Sequence, residues 1–122
     1  MSKTVLAVED SPSVRQLIRM TLLDYGYDVS EAKNGAEALQ KTGGARFDAV
    51  VTDINMPVMN GIEFIRQFRA TPQSQGVPVI VLTTESGDAM KAEAREAGAT
   101  AWLTKPFTQQ QLLDALRKVA GA

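Results

Sequence analysis

The chain has 122 residues, 44% of them hydrophobic, and a formal net charge of −1, which suits one domain with its own core and excludes a strongly basic nucleic-acid-binding surface. It contains no cysteine and no histidine, which excludes disulfides, thiolate chemistry and the usual general base. No apolar stretch approaches the ~20 residues that span a bilayer, and no signal peptide is recognisable. We therefore predict a cytoplasmic protein whose chemistry uses carboxylates, hydroxyls, lysines and a hard metal ion.

The first third of the chain predicts a strand, a helix and a second strand. The continuous apolar stretch Thr4–Val8 is typical of a strand buried on both faces. Ser11 followed by Pro12 is a strong helix start, and Gly26 suits the position just after the helix end. Residues 28–32 predict a weaker strand.

The middle third repeats the pattern of helix and strand. Asn34 is expected to cap a helix in a capping box with Glu37, and this helix ends near residues 43–44. Residues 48–53 predict a third strand, which leads directly into Asp53. Asn60 is expected to cap a helix with apolar residues along one side.

The last third contributes two further strands and two helices. After a polar loop over residues 71–76, the predicted elements are a strand over 77–83, a helix over about 88–97 that Gly98 ends, a strand over 101–104, and a helix that Thr108 caps.

Five strands that alternate with five helices predict an α/β fold, a doubly wound parallel sheet covered on both faces. Crossover connections in such sheets are right-handed. Functional sites of open α/β sheets lie outside the carboxyl ends of the strands. The residues that follow each predicted strand are therefore the first candidates for a site.

Chemically useful side chains stand at four of the five strand ends. Glu9 and Asp10 follow the first strand, Asp53 ends the third, Thr83 ends the fourth, and Lys105 follows the fifth. Three acids in close contact repel one another and need a cation to remain ionised. Hard oxygen ligands without histidine or cysteine suit Mg²⁺.

This constellation predicts phosphoryl transfer to Asp53. A carboxylate is ionised at neutral pH and needs no general base to attack phosphorus. Mg²⁺, the Lys105 ammonium and the Thr83 hydroxyl are each suited to one oxygen of the transferred group. Each residue alone also has a structural interpretation, such as a helix-capping acid or a surface lysine. Their common position at strand ends favours the site.

Four short motifs, in this order and spacing, resemble the receiver domain of bacterial two-component response regulators, and most closely its single-domain chemotaxis type. The resemblance covers residues 1–122 and implies one receiver domain with a flavodoxin-like sheet in the order 2-1-3-4-5. The motifs are Val8-Glu9-Asp10-Ser11, the segment from Asp53 to Gly61, Leu82-Thr83 and Lys105-Pro106-Phe107.

The resemblance implies that Asp53 accepts a phosphoryl group from a phosphohistidine of a sensor histidine kinase. It implies that Lys105 contacts this group and that the bond between Lys105 and Pro106 is cis. Such a domain catalyses only its own phosphorylation and dephosphorylation and is not an enzyme in the usual sense. The implied Mg²⁺ ligands are Glu9, Asp10, Asp53 and the backbone carbonyl of Asn55.

The resemblance also implies a switch made of Thr83 and an aromatic residue, which here is Trp102. Family members more often have tyrosine or phenylalanine at that position, so a fixed anchor that faces a partner is an open alternative for Trp102. Asn55 and Glu85 are candidates for tuning the phosphoryl lifetime. Glu85 is equally well explained as a solvated acid before a helix N-terminus.

The expected output is binding of a protein target through the fourth helix, fifth strand and fifth helix. A chemotaxis target is the first choice, a phosphorelay intermediate or an adaptor that binds a kinase is a close second, and a phosphatase is a further partner. Residues assigned to the target-binding surface are Met90, Lys91, Arg95, Trp102 and Gln109. No direct nucleic-acid binding or membrane insertion is expected.

Two alternative functions remain open. One is a magnesium-dependent phosphohydrolase with an aspartyl nucleophile, against which Asn55 argues. The other is a receiver fragment of a larger regulator with a DNA-binding or enzymatic output domain.

Overall fold

The computed structural model describes residues 3–84 and 87–120, which form a five-stranded sheet between two layers of helices. The elements are β1 (Thr4–Val8), α1 (Pro12–Asp24), β2 (Asp28–Ala32), α2 (Gly35–Gly44), β3 (Ala49–Asp53), α3 (Gly61–Arg69), β4 (Val79–Thr83), α4 (Asp88–Ala97), β5 (Ala101–Thr104) and α5 (Gln109–Ala120). All strand pairs are parallel, in the order β2-β1-β3-β4-β5. The predicted fold class and strand order are confirmed. No helix within the described ranges is long and apolar enough to cross a membrane.

The sheet separates two hydrophobic cores, because successive residues of a strand point to opposite faces. Val50 and Val81 belong to the core under α2, α3 and α4. Val51 and Leu82 belong to the core under α1 and α5. Every residue of β3 and β4 is buried, and this explains why both strands begin with consecutive apolar residues rather than an alternation of apolar and polar ones.

The predicted helix caps are present. Asn34 Oδ1 accepts a hydrogen bond from the Glu37 N–H at 2.9 Å, and Asn60 Oδ1 accepts one from the Glu63 N–H at 2.9 Å. Ser11 caps α1 through the Val14 N–H. Each cap satisfies one backbone donor that the first turn of a helix leaves free.

A reciprocal capping box occurs at α5. Thr108 Oγ1 accepts from the Gln111 N–H at 3.1 Å, and Gln111 Oε1 accepts from the Thr108 N–H at 2.9 Å. The sequence identified Thr108 as the cap but not the returning bond from Gln111, which is the second half of the box. This box fixes the direction in which the chain leaves β5 and enters α5.

Two strand boundaries differ from the prediction. β4 begins at Val79 rather than Val77, because Pro78 has no N–H for the ladder; its carbonyl instead accepts from the Val50 N–H at 2.9 Å. β3 begins at Ala49 rather than Asp48. Asp48 clamps the start of β1 instead, since its Oδ2 accepts from the Thr4 N–H at 2.8 Å. The carboxyl ends of both strands are as predicted.

Candidate functional site

The polar side chains that follow the strands meet at one edge of the sheet. Glu9 follows β1 directly, Asp53 is the last residue of β3, Thr83 is the last residue of β4, and Lys105 follows β5. Parallel strands place all their carboxyl ends at the same edge. The topology therefore brings together residues that lie up to 96 positions apart in the chain.

Three carboxylates form the centre of this site. Glu9, Asp10 and Asp53 each offer an oxygen, and these oxygens lie within 4.8 Å of one another. Glu9 is fully buried and Asp53 is 6% exposed, whereas Asp10 is exposed. Three hard oxygen donors, one of them open to solvent, suit a divalent cation of the Mg²⁺ type, which keeps several of its waters. The donor set thus fits the predicted ion.

Lys105 lies between two of these acids. Its Nζ is 2.5 Å from Glu9 Oε1 and 3.2 Å from Asp53 Oδ2. Burial alone would lower the pKa of the lysine, but the hydrogen bonds and charges of Glu9 and Asp53 outweigh this effect and raise it. The ammonium is therefore charged across the physiological pH range, which a group that stabilises phosphoryl oxygens needs to be.

Glu9 is held by more than its lysine partner. Its Oε2 accepts from the Ser11 N–H at 3.1 Å, and its backbone carbonyl accepts from Arg15 Nη1 at 2.8 Å. Burial raises the pKa of Glu9, although the bonds from Lys105 and Ser11 oppose this shift. No sequence pattern indicates the bond from Arg15, because this bond depends on how α1 lies against the end of β1.

The Asp53 carboxylate is oriented by its own backbone neighbourhood. Its Oδ1 accepts from the Ile54 N–H at 2.8 Å, which leaves Oδ2 directed to Lys105. The loop that follows is closed by a bond of 2.8 Å from the Gly61 N–H to the Ile54 carbonyl. A Cβ at Gly61 would lie 2.0 Å from the Asp53 carbonyl oxygen. Gly61 is thus a positioning residue; the sequence placed it at the end of a motif but did not indicate this role.

The ends of β4 and β5 are tied together behind the acids. The Lys105 N–H donates to the Thr83 carbonyl at 2.8 Å, which extends the ladder by one bond beyond Thr104. Thr83 is fully buried. The bond between Lys105 and Pro106 is cis, as expected. Thr83, at the end of β4, and Lys105, just after β5, are therefore tied to each other near Asp53.

Trp102 lies on the same face of the sheet as Thr83. Its partner across the ladder is Val81, and Thr83 lies two residues further along β4, so the two side chains share a face by strand alternation. The indole is half-buried against the core under α3 and α4. Lys91 Nζ stands 5.8 Å from the centre of its ring, and the indole N–H is buried with no hydrogen-bond partner among the described residues.

The structure also describes most of the other predicted residues. Asn55 is exposed, two residues beyond the end of β3. Glu85 lies outside the described residues. Met90 is half-buried on α4, while Arg95 and Gln109 are exposed. The carboxyl edge thus brings together the acids, the lysine and the threonine, and the Trp102 face lies beside it.

Residues 5–117 match the response regulator receiver domain family, and the chain belongs to this family. The chemotaxis protein CheY1 of Helicobacter pylori is 40% identical over 119 residues, which cover 96% of both proteins. The chemotaxis protein CheY of Pseudomonas aeruginosa is 36% identical over 116 residues, which cover 94% of both.

Solved structures agree with this assignment. The chemotaxis response regulator CheY4 of Vibrio cholerae is 46% identical, with a TM-score of 0.94 over 98% of this chain and 99% of that chain. The receiver domain of the sensor histidine kinase PA1611 of Pseudomonas aeruginosa is 30% identical, with a TM-score of 0.92 over the full length of both. The latter structure has a magnesium ion coordinated in its active-site cleft.

Proposed function

We propose that the protein is a phosphorylation-controlled response regulator that accepts a phosphoryl group on Asp53 and thereby changes its binding to a protein target. One observation carries this proposal above all. The carboxylate of Asp53 lies 3.2 Å from the Lys105 ammonium, with its oxygens close to those of two further acids. A buried carboxylate in this position is both a nucleophile and a metal ligand.

Each neighbour of Asp53 has a role in the proposed transfer. Glu9, Asp10, Asp53 and the Asn55 carbonyl would hold Mg²⁺, which would offset negative charge on the transferred group. Lys105 and the Thr83 hydroxyl bind phosphoryl oxygens. An Asp53 oxygen forms the new bond to phosphorus as the bond from phosphorus to the donor nitrogen breaks, and the imidazole leaves.

The phosphoryl donor belongs to a second protein. These 122 residues contain no histidine, so we assign the phosphohistidine donor to a sensor histidine kinase. The similarity to chemotaxis proteins over nearly the whole chain supports a target in chemotaxis. Asn55 and Glu85 tune the lifetime of the acyl phosphate through their access to the attacking water, and a phosphatase that shortens this lifetime is a further partner.

Thr83 and Trp102 read out the phosphoryl group. When the Thr83 hydroxyl turns toward a phosphoryl oxygen, it vacates space on the face that it shares with Trp102, and the indole changes its rotamer. The target then binds the surface made of α4, β5 and α5. Met90, Lys91, Arg95, Trp102 and Gln109 contribute to this surface.

A second candidate function is that of a receiver that controls an attached output domain. The chain is 38% identical to the response regulator MprA of Mycobacterium ulcerans and covers only 50% of that protein. Receiver domains of this kind therefore occur within longer regulators. In that case the same surface contacts an attached domain instead of a separate target.

Labelling with the small phosphodonor acetyl phosphate tests the proposal. We expect one Mg²⁺-dependent phosphoryl group per wild-type chain, none in Asp53→Asn, and full labelling in the matched surface control Asp24→Asn. Repeated turnover of phosphate esters would instead indicate a phosphohydrolase.

Trp102 is the only tryptophan, so its fluorescence should change when beryllofluoride and Mg²⁺ bind. Unchanged intensity and anisotropy would contradict the switch role and favour the fixed anchor.

A further inference from the structure

Arg15, near the start of α1, is bonded to the segment of chain that carries Glu9 and Asp10. Its Nη1 donates to the Glu9 backbone carbonyl at 2.8 Å. β1 ends at Val8, so this carbonyl lies beyond the strand and is held by a side chain instead of by the ladder. The Arg15 side chain is 23% exposed, which shields the bond from much of the competition with water.

The bond from Arg15 completes the set of contacts that hold Glu9. The Glu9 N–H donates to the Ala32 carbonyl at 3.0 Å, and its carboxylate oxygens contact Lys105 and the Ser11 N–H. Asp10, in contrast, is exposed and forms no ion pair with any residue that the structure describes. The position of the Asp10 carboxylate therefore depends on the backbone that carries it.

That backbone is the part of the chain that Arg15 restrains. The Glu9 carbonyl and the Asp10 N–H belong to one planar peptide unit. Rotation of this unit changes ψ of Glu9 and φ of Asp10 together, and φ of Asp10 determines where its side chain points. A hydrogen bond to the carbonyl opposes the rotation. Arg15 thus restrains Asp10 while leaving the carboxylate oxygens free for a metal ion.

Arg15 is itself oriented from the neighbouring strand β2. Its Nε lies 3.9 Å from Glu31 Oε1, and the Glu31 backbone carbonyl accepts from Lys41 Nζ on α2. A guanidinium is planar, with its donors in a fixed fork. The contact at Nε and the bond at Nη1 therefore define its orientation together, and they connect β2 through α1 to the end of β1.

We propose that Arg15 is a positioning residue for the Mg²⁺ site. It fixes the peptide unit between Glu9 and Asp10 and thereby holds the Asp10 carboxylate close to those of Glu9 and Asp53, and Glu31 orients Arg15 for this role. The inference rests on the proposed function, because it concerns the metal that phosphorylation of Asp53 would use. It assigns a role to a cation whose partners are a backbone carbonyl and Glu31 rather than the acids of the site.

The sign of the effect separates positioning from simple charge. Arg15 is a cation close to an acidic site, so loss of its charge alone should tighten the binding of a metal cation. Loss of positioning should weaken that binding instead. The weakening should fall mainly on Mg²⁺, which demands near-ideal octahedral geometry, and much less on Ca²⁺, which accepts flexible coordination.

Titrations of chelator-treated protein with Mg²⁺ and with Ca²⁺ test this inference. The ¹⁵N amide cross-peaks of Asp10 and Ile54 follow the binding, and the same spectra show whether each variant is folded. We expect Arg15→Met to weaken Mg²⁺ binding about tenfold, as for other groups that orient metal ligands, and Ca²⁺ binding by no more than about twofold. Glu31→Gln should weaken Mg²⁺ binding about two- to threefold, since it removes only the partner of Arg15.

Two further substitutions serve as controls. Arg19→Met removes the same charge from an exposed position one turn further along α1, and should leave Mg²⁺ binding unchanged or slightly tighter. Arg15→Lys keeps the charge and a donor but lacks the fork, and should recover Mg²⁺ binding to within about threefold of the wild type. This variant and Glu31→Gln carry the test if Arg15→Met does not fold.

Three outcomes would overturn the inference. They are Mg²⁺ binding in Arg15→Met that equals or exceeds that of the wild type, equal losses for Mg²⁺ and Ca²⁺, and an equal loss in Arg19→Met. Failure of the proposed function is distinguishable, because acetyl phosphate labelling of Asp53 is a separate measurement. A wild type whose Mg²⁺ binding depends on Arg15 but whose Asp53 is not labelled would support the positioning role and overturn the acceptor role alone.

Discussion

The acceptor site and the Trp102 pocket, which Trp102 lines between α4 and β5, differ in how far the chain satisfies its own polar groups. At the acceptor site, Lys105 contacts both Glu9 and Asp53, and the Ser11 N–H takes the second oxygen of Glu9. At the pocket, the Trp102 N–H is buried without a partner among the described residues. The charged groups of the acceptor site are therefore paired within the protein, whereas the indole N–H of the pocket is complementary to an acceptor from another molecule. Changes in the first should therefore damage the free protein strongly, whereas removal of the indole N–H in the second should cost the free protein little or nothing.

The largest expected effect comes from Lys105→Met. This substitution keeps the length of the side chain but removes the ammonium that contacts Asp53. We expect labelling of Asp53 by acetyl phosphate to slow by roughly 100- to 1,000-fold, the effect of losing one preorganised donor in an active site. The rate of ³²P incorporation from labelled acetyl phosphate measures it.

The control for this substitution is Lys118→Met, which removes an exposed lysine from the last turn of α5. Its labelling rate should equal that of the wild type. A Lys105→Met protein that labels at more than about a tenth of the wild-type rate would show that the ammonium adds little to the transition state.

Gly61→Ala tests how tightly the loop after Asp53 is built. A Cβ would lie 2.0 Å from the Asp53 carbonyl oxygen, so the loop must open and its bond from the Gly61 N–H to the Ile54 carbonyl must lengthen. We expect a loss of about 2 to 3 kcal/mol in the free energy of unfolding, as for other overpacked positions. Urea denaturation measures the loss.

Gly43→Ala is the matched control for that change, because a Cβ at Gly43 in α2 meets nothing within 4 Å. It should stabilise the protein by about 0.5 to 1 kcal/mol, since alanine is the better helix former. Equal stability of the two alanine variants would mean that the loop yields at no cost, contrary to the close contact at Asp53.

The ion pair of Lys105 predicts a loss of stability at alkaline pH. Its folded-state pKa is raised above the ordinary value of 10.5 by Glu9 and Asp53, which outweigh burial. Its contribution is therefore complete below 10.5 and is lost as the pH rises through the folded-state pKa. We expect the wild type to lose about 1 to 2 kcal/mol more than Lys105→Met over this range.

Urea denaturation between about pH 9 and pH 12, in a buffer with a metal chelator, gives the two curves. Lys118→Met should follow the wild type, because Lys118 is exposed and has no ion-pair partner among the described residues. Parallel curves for the wild type and Lys105→Met would contradict a stabilising pair in the folded protein.

The acceptor site was largely predictable from the sequence, because it follows from regular geometry. Once Asp53 and Lys105 are placed at strand ends of one parallel sheet, the topology brings them to the same edge. What the sequence did not reveal depends on irregular backbone. The bond from Arg15 to the Glu9 carbonyl and the contact of Gly61 with Asp53 arise from the path of a loop and the tilt of a helix.

The Trp102 pocket was predictable only in part. The sequence placed Trp102 on a strand and Lys91 on a helix, but the rotation of α4 about its axis decides that the Lys91 ammonium lies over the indole. The missing acceptor of the indole N–H is likewise a property of packing. The sequence alone leaves two roles open for Trp102, a switch that changes its rotamer and a fixed anchor that faces a partner.

Trp102→Phe is the smallest change and the most direct test of the unsatisfied N–H. A buried donor without a partner costs about 1 to 3 kcal/mol, and this cost offsets the apolar contact that phenylalanine loses relative to tryptophan. We expect the free energy of unfolding to stay equal or to rise by up to about 1 kcal/mol. Trp102→Leu, which loses the ring and the contact with Lys91 as well, should be destabilised by about 1 to 2 kcal/mol. If phenylalanine destabilises the protein as much as leucine does, the N–H is satisfied in solution, and a bound water is its partner.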